Sequence, residues 1–95
     1  QLLATPPRHA ALGASVADAA RFMPNAVGAY VGQVRSSSAA ERTGLRLGDI
    51  IVQIGGRPVR SAAELEQVMA GLAPGARLAV EWLRGDERMR GEAVL

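Results

Sequence analysis

Few side chains in this 95-residue sequence could carry covalent chemistry. There is no cysteine, which excludes thiolate metal sites, cysteine nucleophiles and disulfide scaffolds. The single histidine, His9, excludes a multi-histidine metal site. It lies beside Pro6-Pro7, whereas a catalytic base needs an ordered acid and nucleophile within hydrogen-bond reach. Asp18, Asp49 and Asp86 fall at predicted turns or caps, and no G-x-S-x-G setting presents a serine. The expectation is a chain without a catalytic constellation, metal or cofactor.

The charged residues point no more strongly to a ligand. All 11 basic residues are arginine and the formal net charge is only +2. Arg84, Arg88 and Arg90 gather at the last predicted hairpin and read as a solvated face. Phe22, Tyr30 and Trp82 are the only aromatics, too few to interleave with a basic patch, so nucleic acid is not an expected partner. Nor does any apolar run approach the roughly 20 residues of a membrane span. Residues in the AVILMFWYC class make up 48%, enough apolar surface for one folded domain.

What remains is the backbone, and the elements that would present it. Residues 1–10 carry two prolines and no period, so they read as a linker from an upstream domain, with the folded unit at 11–95. With Gln1 opening the chain, no signal peptide is visible and the sequence looks like an excised piece. Ala11–Val16 is a short predicted strand, weakened by Gly13, and Asp18–Met23 suits one or two helical turns stopped by Pro24. Gly28–Val34 alternates as a strand. Ser38 with Glu41 is a capping box opening a short helix, which Gly44 ends. Ile50–Ile54 is a β-branched run, Gly55-Gly56 a two-residue hairpin turn and Arg57-Pro58-Val59 a short edge strand.

A second capping box, Ser61 with Glu64, opens a helix whose Leu65, Val68, Met69 and Leu72 form one apolar stripe, read as core. Two alternating strands follow across the Arg84–Glu87 turn, with Trp82 directed into the core. The order β–β–(short α)–β–β–α–β–β makes a small α+β fold, a mostly antiparallel, partly open barrel or sandwich carrying two helices.

Two segments carry a resemblance. Gly28–Val34 followed by Ser36–Leu45 resembles the strand and short helix of a bacterial PDZ domain. Gly48-Asp49-Ile50-Ile51 through Gly55-Gly56-Arg57-Pro58-Val59 resembles that family's strand-and-hairpin signature. The likeness covers residues 11–95 and is nearest to the PDZ domains of HtrA/DegP-type serine proteases. It implies a partly open β-barrel of five to six strands capped by two helices. The topology is the circularly permuted bacterial one, which begins with the peptide-binding strand.

The resemblance also implies a site. The family's carboxylate-binding loop falls on Ala11-Leu12-Gly13-Ala14, and the binding strand continues through Ser15 and Val16. The Leu12–Ala14 amides can form an anion nest, which needs one residue near left-handed space, the place of Gly13. Ala14 is small where relatives carry a bulky apolar residue, which widens the terminal pocket. On the helix opened by Ser61, Ala62, Glu66 and Met69 would face the groove, and Leu65, Val68 and Leu72 the core. Ala62 stands where many animal members carry histidine, and Glu66 would favour a basic or hydroxylated ligand residue.

The function implied is capture of C-terminal or extended hydrophobic peptides by β-augmentation. The partners would be peptide or protein C-termini and a protease domain of the parent, itself an envelope serine protease, periplasmic or membrane-associated and compatible with homo-oligomers. The rival is a structural or assembly module whose groove is occluded by a neighbouring domain or subunit.

Overall fold

The computed structural model describes residues 12–73 and 75–95. The expected linker, residues 1–10, and Ala11 lie outside the described residues, as does Pro74. Six strands form one open antiparallel sheet: β1 (Ala14–Asp18), β2 (Ala29–Val34), β3 (Ile50–Ile54), β4 (Arg57–Pro58), β5 (Arg77–Arg84) and β6 (Glu87–Val94). The order is β1-β2-β3-β5-β6, with β4 paired to β3 on the side path. Helices α1 (Ala39–Thr43) and α2 (Ala62–Ala70) complete the fold, which is an open sheet and not a closed barrel.

Both helices begin where the sequence predicts. The hydroxyls of Ser38 and Ser61 accept from the N–H of Glu41 and Glu64 at 3.2 and 3.1 Å. The glutamates reach back one residue beyond the cap, to the N–H of Ser37 and Arg60 at 2.8 and 2.7 Å. Each pair of bonds satisfies two backbone donors that a helix start otherwise leaves to water. Gly44 ends α1 at a φ of 106°, in the left-handed region that glycine enters without penalty.

The core lies between the inner face of the sheet and the helices. Ala29, Val31, Ile51, Ile54 and Val80 are fully buried, with Leu12, Leu45, Val59, Leu65, Met69 and Trp82 around them. The strand face follows the period of two: Ala29 and Val31 point inward, so Tyr30 between them points to the outer face.

Two local expectations shift. β1 starts at Ala14 rather than Ala11, because Leu12 and Gly13 are used to approach α1: Leu12 C=O accepts from Ala40 N–H at 2.8 Å. The helical stub after β1 shrinks to a 3-10 turn, Ala19–Arg21, and Asp18 belongs to the strand. Asp18 does not cap that turn; its carboxylate accepts from Ala62 N–H, 44 residues on, at 2.8 Å.

Arg84 also departs from the solvated face assigned to it. Its guanidinium grips the buried Asp49 with Nε on Oδ1 at 3.0 Å and Nη2 on Oδ2 at 2.8 Å. Nη2 also donates to Gly44 C=O at 2.8 Å, and Asp49 accepts from Arg46 N–H at 2.8 Å. The hydrogen bond to Asp49 raises the Arg84 pKa against an opposing desolvation effect, with the charges of Asp49 and Glu87 adding to the rise. One fork therefore ties the end of β5 to the start of β3 and to the end of α1. Arg88 and Arg90 are exposed, Arg88 pairing with Glu81 at 2.7 Å.

Candidate functional site

β1 lies at one end of the sheet and pairs only with β2 among the described residues. Its hydrogen-bonding parity can be read from the strand's two ends. Gly13 C=O accepts from Arg35 N–H at 2.8 Å, and Ala19 N–H donates to Gly28 C=O at 2.9 Å, so positions 13 and 19 face β2. Backbone alternation then turns the N–H and C=O groups of Ala14, Val16 and Asp18 toward the open edge. The register slip between Ser15 and Val16 places its extra residue, Gly32, in β2, and the parity of β1 is preserved. Val31, opposite Val16, is bonded on its other side: its N–H donates to Asp49 C=O and its C=O accepts from Gly48 N–H.

Gly13 begins this edge with a φ of +84°. A Cβ there would sit 2.3 Å from Ser38 Cβ and 2.9 Å from Ser38 Oγ, so the backbone passes directly over the N-cap of α1. The Leu12–Gly13–Ala14 turn is held from beneath by Ala40 N–H on Leu12 C=O and by Arg35 N–H on Gly13 C=O. With those carbonyls engaged, the turn has the left-handed glycine that an anion nest requires.

The inner side of the edge is apolar. Leu12 is buried, and Ala14 and Val16 are half-buried against the core, while Ser15 is exposed on the other face. α2 lies across from it, and Asp18 ties the far end of β1 to the first turn of that helix. On the opposite flank of α2, Glu64, Gln67 and Val68 line a shallow pocket with Arg57 and Pro58 of β4. Helical spacing therefore puts Ala62, Glu66 and Met69 on the flank away from β4.

Of these three, Ala62 is half-buried and Glu66 exposed, but Met69 is only 6% exposed and belongs to the core cluster. Leu65 is buried beside it, whereas Val68 and Leu72 are half-buried. Leu65, Val68 and Leu72 thus pack on the core as expected, and the one departure is Met69, which is buried with them rather than open to the groove. The reason is tertiary: the sheet beneath α2 selects which part of a broad apolar stripe it covers. The structure brings Leu12–Val16 together on one edge, while Ala11 lies outside the described residues.

Sequence reasoning missed two members of this neighbourhood. Asp18 appeared as a helix cap and instead bridges strand to helix. Phe22 lies 4.4 Å from Tyr30, ring centroid to centroid, although it stays 56% exposed. Its only sequence signal was an aromatic between Arg21 and Met23, just before the Pro24 stop.

No group of three or more metal-ligating side chains occurs among the described residues, and none of their helices is long and apolar enough to cross a membrane. A family model described as PDZ domain matches residues 10–93. Curated relatives include a probable periplasmic serine endoprotease DegP-like of Ectopseudomonas mendocina, 33% identical over 63 residues, which are 66% of this chain. Another is the periplasmic pH-dependent serine endoprotease DegQ of Escherichia coli, 34% identical over 68 residues or 72% of the chain. The matched stretches span only 13% and 15% of those two proteins. Among solved structures, the HtrA3 PDZ domain bound to a phage-derived ligand, FGRWV, superposes with a TM-score of 0.74 at 26% identity. That match covers 87% of this chain and 81% of the other. The HtrA-type protease AlgW with decapeptide shares the fold at a TM-score of 0.82 and 23% identity, over 90% of this chain and 28% of that one.

Proposed function

The chain belongs to the PDZ domain family, and from that premise we propose that it captures peptides with a free C-terminus by adding them as a strand to β1. The observation that carries the reading is the edge of β1 that no described residue pairs with, where the backbone groups of Ala14, Val16 and Asp18 turn outward beside a left-handed Gly13. A ligand running antiparallel to β1 would end at the Leu12–Ala14 amides, where its carboxylate meets the nest. Its main chain would exchange hydrogen bonds with Val16 and Asp18. Side chains on its inner face would rest against Ala14, Val16 and the Ala62/Glu66 flank of α2.

The parent would be an HtrA-type serine protease of the bacterial envelope, as the periplasmic relatives are named, with this domain recruiting substrates or relaying their presence to a protease domain. A short added strand gives few anchoring contacts and the ligand must be ordered first, so affinity is expected near the micromolar range, about −8 kcal/mol.

The test is an NMR titration of the 95-residue chain with a short apolar peptide, free or amidated at its C-terminus. Shifts along Leu12–Asp18 and Ala62–Met69 that vanish on amidation are the expected result. Shifts with both peptides would mean that extended segments are read without the terminus, and silence with both would favour an occluded assembly module. Val16→Pro sharpens the test, because it removes a donor that β2 does not use. An edge strand tolerates proline where the N–H faces outward, so the variant should fold and lose peptide binding.

A further inference from the structure

The groove reading accounts for one face of the added strand and leaves the other unassigned. On that reading, we infer that the aromatic pair of exposed Phe22 and half-buried Tyr30 is a second specificity element. It would recognise a long apolar or aromatic side chain on the ligand's outer face, at the fourth residue counting back from the C-terminus.

The register leads to it directly. A ligand whose carboxylate lies on the Leu12–Ala14 amides sets its last residue opposite Ala14 and its third-from-last opposite Val16. The fourth-from-last then falls opposite Ala17. Residues directly opposite one another across a ladder point to the same face. Ala17 is paired on its other side with Tyr30, which points to the outer face because Ala29 and Val31 on either side of it are fully buried. Ligand residue, Ala17 and Tyr30 therefore form one row across three strands.

Chemistry along the row is asymmetric. Ala17 contributes only a methyl group, so nothing tall stands between the ligand and Tyr30. The ligand backbone would be two strand spacings from β2, about 9.6 Å. Two large side chains leaning over an alanine can close that gap, and a serine or alanine cannot. Phe22 adds its own ring to the far wall, 4.4 Å from that of Tyr30 and tilted by 34°. The wall is held in place by the turn beneath it: Phe22 N–H and Met23 N–H both donate to Ala19 C=O, at 3.0 Å each, and Ala26 N–H donates to Met23 C=O at 2.9 Å. Phe22 remains 56% exposed, so the ring has a face free for a ligand.

Two eight-residue peptides with free C-termini, differing only in phenylalanine or serine at the fourth residue from the end, would test this by NMR titration of the 95-residue chain. The expected result is a preference for phenylalanine of roughly three- to tenfold, the range of one aromatic pair. In Phe22→Ala that preference should fall below about twofold while the serine peptide binds as before. Because Phe22 is exposed, its truncation should leave the thermal unfolding of the chain, followed through the buried Trp82, close to wild type. Equal binding of the two peptides by the wild type would overturn the outer-face inference and leave the groove intact. So would a preference that survives in Phe22→Ala. Failure of both peptides to bind would instead overturn the groove reading on which the inference rests.

Discussion

Replacing Gly13 by alanine tests the geometry on which the carboxylate loop depends. Two costs can be worked out separately. At a φ of +84° an L-residue carries a backbone penalty of about 1–2 kcal/mol. Its Cβ would also stand 2.3 Å from Ser38 Cβ, where carbon–carbon contact becomes comfortable only near 3.5 Å. A displacement of about 1 Å is therefore needed at the cap of α1, an overpacking cost of about 1–3 kcal/mol.

Together these predict that Gly13→Ala destabilises by about 2–5 kcal/mol. Urea unfolding would measure it, using the fluorescence of the single buried Trp82. Ser38→Gly separates the two parts. By itself it loses only a few tenths of a kcal/mol, since glycine is a fair N-cap. Combined with Gly13→Ala it removes the clashing Cβ, and the next neighbour, Ser38 Cα, lies at an ordinary 3.5 Å. The double variant should regain about 1–3 kcal/mol, leaving the backbone penalty. A cost below about 1 kcal/mol for Gly13→Ala would refute the left-handed reading, and strict additivity of the two substitutions would refute the steric one.

Two further outcomes follow from other contacts. Asp49→Ala removes a carboxylate only 2% exposed that accepts from Arg46 N–H and from two Arg84 nitrogens. Breaking a buried pair costs about 3–5 kcal/mol, but the Arg84 side chain is 31% exposed and can turn to water. A loss of about 2–3 kcal/mol is therefore expected, or about 10–20 °C in melting temperature by calorimetry. Glu66→Ala, at an exposed site on the groove flank of α2, should leave stability within about 0.5 kcal/mol and weaken the preference for basic over acidic peptides. An unchanged ranking in a competition titration would remove Glu66 from the site.

The sequence alone determined those features whose partners lie within one turn or one hairpin. Ser38 with Glu41, and Ser61 with Glu64, mark helix starts because an N-cap and its reciprocal partner are only three residues apart. Gly55-Gly56 closes β3 onto β4 through local backbone freedom, and the alternation of Leu78, Val80 and Trp82 assigns the core face of β5. The motif string from Gly48 to Val59 and the positions of Leu12–Ala14 were enough to place the fold and the candidate strand edge. The tertiary structure decided contacts between residues far apart in the chain. Gly13 meets Ser38, Asp18 reaches Ala62, Asp49 holds Arg84, and Phe22 stacks on Tyr30. It also decided that Met69 joins Leu65 as a buried member of α2's stripe, while Val68 and Leu72 stay half-buried. Periodicity says that a helix has an apolar face, but only the sheet packed against it sets where that face ends. Likewise, a sequence shows that a strand can form, and only strand order and register show which of its edges is left without a neighbour.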